Sequence, residues 1–300
     1  MKRSTRENIR GWGIMGPILV YFLLFSVIPI FYIFYLSFTD YGEVLQGGMI
    51  VTSFVGFKNF VQVFTEPVYF RSIGISFAMT VLITGLGIVF GFIIALMLKK
   101  VSRSKGVFRT IWYIPGLLSG VVLSQFVVIL LGENGGGVIN KIIEATGGSA
   151  IRWQESTFWM FFWIIGLICY GGTGGTAILL LAGLNGISDD VYEAAKIAGA
   201  NPFVMLFRIT LPLVRPMLGF VLINGFIGAF NIYEPVLLIS DGGPNGSTEV
   251  ILFKIYDEAF ANFKYGFTSA LSFIVMLIVL ALTLVNLRFT DNSIYKLEND

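Results

Sequence analysis

Between residues 183 and 215 the chain reads GLNGISDDVYEAAKIAGANPFVMLFRITLPLVR, set between two long apolar runs at 158–182 and 212–240. A connection that merely reverses the chain needs only a few polar residues. This one spells out two short helices, each with its own start and stop signals. Ser188 with Asp189 and Asp190 supplies an N-cap and negative charge in the first turn, Val191 to Ala198 make two turns, and Gly199 suits the left-handed conformation that stops a helix. Asn201 caps a second helix whose first residue is Pro202, a position whose backbone donor would go unused in any case. Leu211-Pro212 is expected to end that helix and turn the chain into the next apolar run. A loop with this much internal order is suited to docking.

Working outward, apolar runs recur at 12–38, 73–98, 111–131, 158–182, 212–240 and 268–288. About 20 residues in a helix cross the ~30 Å hydrocarbon layer. Of the 300 residues, 56% are hydrophobic and 13% charged, with mean hydropathy +0.83, whereas soluble domains carry about 25% charge. The reading is an all-α membrane protein with six transmembrane helices, forming a single domain over residues 1–300. Six spans put both termini on one side, together with Lys2, Arg3, Arg6, Arg10, Lys99, Lys100, Arg103, Lys105, Arg109, Lys196, Arg208, Arg215, Arg288 and Lys296. Only Lys58, Arg71, Lys141, Arg152, Lys254 and Lys264 fall on the other side, so the termini are expected to be cytoplasmic. The first span is too long for a signal-peptide core and reads as an uncleaved helix, bent at Pro17 and Pro29. In the first outer loop Phe57, Phe60, Val61 and Phe64 share one helical face, which either lies along the bilayer or packs on the bundle. Glycines 135–137 and 147–148 bracket a short helix around Val138–Ala145.

Several chemistries are excluded. The chain has no histidine, and its one cysteine, Cys169, sits in an apolar run, so His-ligated metals, Ser-His-Asp triads, internal disulfides and thiolate clusters are absent. No G-x-x-x-x-G-K-[ST] string is present. The string Gly172-Thr173-Gly174-Gly175-Thr176-Ala177 formally fits G-x-G-x-x-A, but no strand precedes it and no acidic residue follows at the spacing a dinucleotide site requires. The charge is membrane sidedness and gives no sign of nucleic-acid binding. The class-different alternative is an ion-coupled secondary carrier, which needs ion-binding groups near mid-membrane.

Glu193-Ala194-Ala195, three residues, Gly199, nine residues, then Ile209-Thr210-Leu211-Pro212 match in full the EAA-x3-G-x9-I-x-LP signature of ABC importer permeases. The chain resembles the carbohydrate (maltose-type) class of these permeases over nearly its whole length. Gly56-Phe57-Lys58-Asn59-Phe60, Arg109 to Pro115 and Asp241-Gly242-Gly243-Pro244 carry that resemblance, and the Gly-Gly-Pro element is similar to that of the first of the two permease subunits. The resemblance implies a type I ABC importer permease fold and a place in a bacterial or archaeal plasma membrane. It further implies a heterodimer with a second permease subunit, two ATPase subunits that hold ATP and Mg, an extracytoplasmic solute-binding protein and a sugar substrate. It makes the 183–215 loop the coupling element, with Glu193, Ala194, Ala195, Gly199, Leu211 and Pro212 as its ATPase-coupling residues. The chain itself is then not an enzyme and holds no cofactor. The maltose-type subunit carries a large outer domain in its first loop; none is present here, so contact with the binding protein is expected to use shorter surfaces.

The helices flanking such a loop line the translocation path in the resembling family. On span four, Tyr170, Gly172, Thr173 and Gly175 are candidates; a string with four glycines among 171–175 reads either as irregular backbone beside a cavity or as close helix packing. On span five Asn224 and Asn231 share a face, with Glu234 three residues on and turned somewhat around the axis, and Gly225, Gly228, Ala229 and Ile232 make a neighbouring face nearly bare of side chains. Glu234 reads as the only ionisable residue well inside a span, about two turns before Asp241 and near the outer end, where it either lines the path or reaches the interface or a neighbouring helix. Gly116 and Gly120 are expected on one face of span three. The missing bulk points to a path for an oligosaccharide.

Overall fold

A computed structural model describes the backbone of residues 3–42, 45–46, 49–50, 52–100, 105–132 and 136–299; Lys2, Arg103 and Gly135, used above, lie outside these. Contacts divide the chain into two compact units, Met1–Phe70 with Ile255–Leu277, and Arg71–Lys254 with Ile278–Asp300.

In the first unit, α1 (Arg3–Phe22) and α2 (Ile28–Leu36) form one rod joined by a π-helical turn at Leu23–Val27. The wider turn sits just ahead of Pro29, where the chain lacks a donor. Tyr21, Phe25 and Phe31 on this rod are exposed. After a two-residue hairpin, β1 (Leu45–Gln46) with β2 (Met49–Ile50), comes α3 (Lys58–Thr65). Buried Asn59 donates through Nδ2 to the Ser37 carbonyl at 3.0 Å and the Thr39 carbonyl at 2.8 Å, pinning α3 to the end of α2. Phe57, Val61 and Phe64 are exposed and Val63 is buried, so most of the predicted apolar face points away from the unit. Two longer helices, α4 (Pro67–Lys100) and α12 (Ile251–Phe260), each lend one end to this unit. There the buried Glu258 carboxylate accepts from the Tyr69 hydroxyl at 3.0 Å, Asn262 Nδ2 at 3.1 Å and Lys264 Nζ at 3.1 Å.

The second unit holds the rest of α4, then α5 (Lys105–Tyr113), a tight turn at Ile114–Leu117, α6 (Gly120–Leu131), α7 (Val138–Ala145) and α8 (Thr157–Asn185). It continues through α9 (Asp189–Ile197), α10 (Pro202–Val204), a π turn at Met205–Thr210, α11 (Leu211–Phe230) and a π turn at Val236–Ser240; α13 (Tyr265–Asn299) begins in the first unit and ends here. Two apolar clusters hold it together. One gathers Met79, Leu131, Trp153, Met160, Ile164 and Val236; the other gathers Ile94, Leu98, Leu180, Leu184, Val214 and Val221 from α4, α8 and α11. Between helices in lipid the gain comes from close dispersion packing more than from removing water.

Among the described residues five helices are long and apolar enough to span a membrane: Met15–Leu36, Pro67–Lys100, Thr157–Asn185, Pro202–Phe230 and Tyr265–Val285. The sixth expected span, 111–131, is a pair, Gly106–Leu117 and Gly120–Leu131, bent by 88°, and the count reaches six when the pair is taken as one span. Pro115 sits in the tight turn, where its ring excludes a regular helix. Gly116 and Gly120 therefore lie on either side of a break and share no helical face. Three further expectations are corrected. Leu211-Pro212 does not end the second loop helix: α10, the π turn and α11 run on without interruption, because the wider turn at Met205–Thr210 absorbs the ring and missing donor of Pro212. Of the two readings of glycines 171–175, irregular backbone does not hold, since α8 is helical throughout, and close helix packing remains. Glu234 is not inside span five, since α11 ends at Phe230 with Asn231 as its C-cap.

Candidate functional site

The loop after α8 is built from its caps. Ser188 adopts an extended backbone and its Oγ accepts from the Asp190 amide at 3.3 Å, starting α9 with Asp189 and Asp190 in the first turn. At the other end Gly199 takes φ +77°, its amide bonds the Lys196 carbonyl at 3.0 Å, and the Ala200 amide reaches back to the Ala195 carbonyl at 2.9 Å. Asn201 Oδ1 accepts from the Val204 amide at 2.9 Å, with Pro202 first in α10.

This order is achieved without a core: neither α9 nor α10 contains a buried residue. Glu193 and Ala194 are exposed and Ala195 is half-buried, while Leu211 and Pro212, half-buried in the first turn of α11, belong to the helix behind the loop. Ile197, Phe203 and Phe207 stand 89%, 74% and 60% exposed. Ile197 closes α9, while Phe203 and Phe207 lie at the start of the apolar helix Pro202–Phe230; exposed large apolar side chains of this kind are the usual mark of a surface that meets a partner or lipid. Sequence reasoning did not single these three out, although apolar residues in a short charged loop were a legible signal.

Behind the loop α4, α8 and α11 enclose a cleft of about 280 Å³. Of the residues expected to line a path, Gly172, Thr173, Asn224, Gly225, Gly228 and Ala229 meet there. Gly116, Gly120 and again Gly172 line a second cavity of about 300 Å³ beside Pro115 and Pro235. Tyr170, Gly175, Asn231, Ile232 and Glu234 line neither. Thr173 donates to the Cys169 carbonyl, Asn224 Nδ2 to the Phe220 carbonyl at 2.8 Å and Asn231 Nδ2 to the Ile227 carbonyl at 2.9 Å, so these polar groups fold back on their own helices. Thr84 and Thr176, which the sequence reading passed over, also line the cleft. Thr84 ends a buried stripe of hydroxyls at Ser72, Ser76, Thr80 and Thr84 on α4, and its Oγ1 has no hydrogen-bond partner. That four-residue spacing was the available signal. No charged side chain lines either cavity.

The glycines divide by their neighbours. A Cβ at Gly174 would collide with the Trp112 carbonyl oxygen, and one at Gly116 would stand 2.7 Å from the Gly171 oxygen, so these positions let the α5 end and the tight turn lie backbone to backbone on α8. A Cβ on Gly120 would come within 2.7 Å of Glu234 Oε2, and one on Gly225 within 3.1 Å of Thr84 Cγ2. A Cβ on Gly172, Gly175 or Gly228 would meet nothing within 4 Å beyond its own helix.

Among the described residues no group of three or more His, Cys, Asp or Glu side chains is placed to hold a metal ion. Residues 87–292 match the family described as binding-protein-dependent transport system inner membrane component. The chain is 30% identical over 295 residues to the probable ABC transporter permease protein YesP of Bacillus subtilis (strain 168), covering 95% of this chain and 92% of that one. It is 29% identical over 291 residues to the trehalose/maltose transport system permease protein MalF of Thermococcus litoralis, covering 96% and 95% of the two chains. A crystal structure of a bacterial ABC transporter involved in the import of the acidic polysaccharide alginate contains a chain of the same fold, with TM-score 0.81 at 22% identity over 97% of this chain and 99% of that one. These findings set aside the ion-coupled carrier. The exposed, capped loop and the helices behind it are those of an ABC importer permease, and the chain belongs to the family of binding-protein-dependent transport system inner membrane components.

Proposed function

We propose that the chain is one of two unlike permease subunits of an ATP-driven importer that carries an oligosaccharide, with a solute-binding protein outside and two ATPase subunits, holding ATP and Mg, on the cytoplasmic side. The observation that carries this reading is α9: a capped helix with no buried residue, exposing Glu193, Ala194 and Ile197, as a surface made to seat in a partner requires. Glu193, Ala194, Ala195 and Gly199 form the docking surface, and Leu211 and Pro212 join it to α11. The long exposed rod of α1 and α2 is free to face lipid and the second permease. The cleft supplies hydroxyls from Thr84, Thr173 and Thr176 and the amide of Asn224, with no charged lining, which suits a hydroxyl-rich neutral solute. The open sides of Gly172 and Gly228 leave room for an extended one. Relatives and structural neighbours named for trehalose, maltose and alginate support a saccharide.

Purification of the tagged chain from its native membrane tests the assembly. An associated ATPase and a second permease are expected, and a chain recovered alone, with uptake driven by an ion gradient, overturns the reading. Orientation is checked after Cys169→Ser by single cysteines: Ser188→Cys is expected to be reached only from the cytoplasmic side, and labelling from outside inverts the topology. A saccharide-binding screen on the cognate binding protein tests the substrate class.

A further inference from the structure

The docking helix α9 buries no residue of its own, so packing does not explain how its movement reaches the spans. The seam between it and the helices behind is loose: a cavity of about 560 Å³ lies there, with Leu96, Asp189 and Lys196 among its lining residues. Among the described residues a chain of polar contacts crosses that seam. Lys99, in the last turn of α4, donates through Nζ to the Leu184 carbonyl of α8 at 2.9 Å and lies over the Tyr192 ring of α9, 4.5 Å from its centroid. The Tyr192 hydroxyl stands 3.3 Å from Thr210 Oγ1, which donates to the Met205 carbonyl at 3.0 Å across the π turn leading into α11. A single lysine thus touches the ends of two path-lining helices and the docking helix, and a single tyrosine passes the contact to the third.

We propose that Lys99, Tyr192 and Thr210 are positioning residues that carry movement of α9 into α4, α8 and α11; this rests on the reading of α9 as the ATPase-docking helix. A cation over an aromatic ring holds its partner in a preferred geometry while permitting small rotations. Its cation also neutralises the negative end of α8 through the Leu184 carbonyl, which fixes the donor in place. The hydroxyl pair then couples Tyr192 to the π turn at Met205–Thr210, a departure from regular helix of the kind frequent at functional sites.

Cys169 lines the cleft and reports whether movement arrives there. The complex is purified with its ATPase, reconstituted in lipid, and the rate at which N-ethylmaleimide modifies Cys169 is measured with and without ATP and vanadate. Wild type is expected to show an ATP-dependent change in rate. In Lys99→Met, which removes the cation from the ring, and in Tyr192→Phe, which keeps the ring but removes the hydroxyl pair with Thr210, that ATP-dependent change should shrink roughly tenfold while the ATPase still copurifies. Lys99→Arg, which keeps the cation and the donor, should restore it. An unaltered ATP response in assembled Lys99→Met and Tyr192→Phe complexes overturns the proposal, as does a wild-type rate indifferent to ATP. A contact that served folding alone would lower recovery of the complex without altering the response of what is recovered. Tyr192→Phe removes one oxygen atom from a half-buried side chain and so keeps the test available if Lys99→Met fails to fold. Gly199→Asp separates the two levels: if it too retains the ATPase and the ATP response, the docking reading fails, whereas if it alone loses them, only the link fails.

Discussion

The loop from Ser188 to Asn201 and the glycine string from Gly171 to Gly175 are both short, both rich in small residues, and only a few turns apart in sequence, yet they were not equally readable. Every cap that shapes the loop closes within five residues: Ser188 to Asp190, Lys196 to Gly199, Ala195 to Ala200 and Asn201 to Val204. The role of each glycine in the string is set by atoms far away in the chain. Gly174 faces the Trp112 carbonyl, Gly171 faces Gly116 and Leu123, and Gly172 faces open space. Local chemistry is written in the sequence at the place where it acts, whereas a close approach between helices is written in two places at once.

The sharpest way to break this contrast is Gly174→Leu. A side chain there has to displace the backbone of Trp112 and Tyr113 and not the end of a flexible group, so the cost exceeds about 3 kcal/mol. Fluorescence size-exclusion of detergent extracts should show no monodisperse protein. A normal peak would mean that the α5 end does not rest on α8.

Next in size is Glu193→Lys, which tests the loop where the caps are untouched. Reversing a charge at a docking surface costs enough to lower ATPase copurification and uptake by about thirtyfold or more, while the amount of chain in the membrane stays unchanged. Loss of the chain from the membrane would show instead that Glu193 serves folding.

The spans followed from apolar length, apart from 111–131, where Pro115 and the tight turn at Ile114–Leu117 split one run into two helices at 88°, and 212–240, whose helix runs instead over Pro202–Phe230. The capped helices followed from Ser188, Gly199, Asn201 and Pro202. The continuation through Leu211-Pro212 did not, because the preference of proline for a helix start is the same whether a loop or a π turn precedes it. The helix Ile251–Phe260 was passed over, since its apolar stripe is broken by Lys254, Asp257 and Glu258 and its order depends on contacts such as Tyr69 with Glu258. The cleft was half visible: span five supplied Asn224, Gly225 and Gly228, while the hydroxyl stripe ending at Thr84 lay unread in a run that looked uniformly apolar.

A third test sharpens the cleft itself. Gly228 is exposed, and nothing lies within 4 Å of the point where a Cβ would stand, so Gly228→Phe fills space without displacing a neighbour. Uptake of whatever saccharide the binding protein retains should fall about tenfold, the scale of a steric cost of about 1–3 kcal/mol, with assembly intact. Loss of the folded complex would assign Gly228 to helix packing and remove the open path with it.

The smallest expected effect is the most pointed, because it sets neighbours two residues apart against each other. Gly172 and Gly174 lie on the same uninterrupted helix, and neither has an unusual backbone conformation, so propensity alone treats Gly172→Ala and Gly174→Ala alike: each should gain up to about 1 kcal/mol. The surroundings separate them. At Gly172 the added methyl meets nothing, and the variant should keep wild-type uptake and melt at the same temperature or a few degrees higher. At Gly174 the methyl overlaps the Trp112 carbonyl, and the same one-carbon change should lower the melting temperature despite its favourable propensity. Equal melting temperatures would mean that α8 carries its glycines for reasons of its own backbone, and the division of the string into packed and open positions would have to be abandoned.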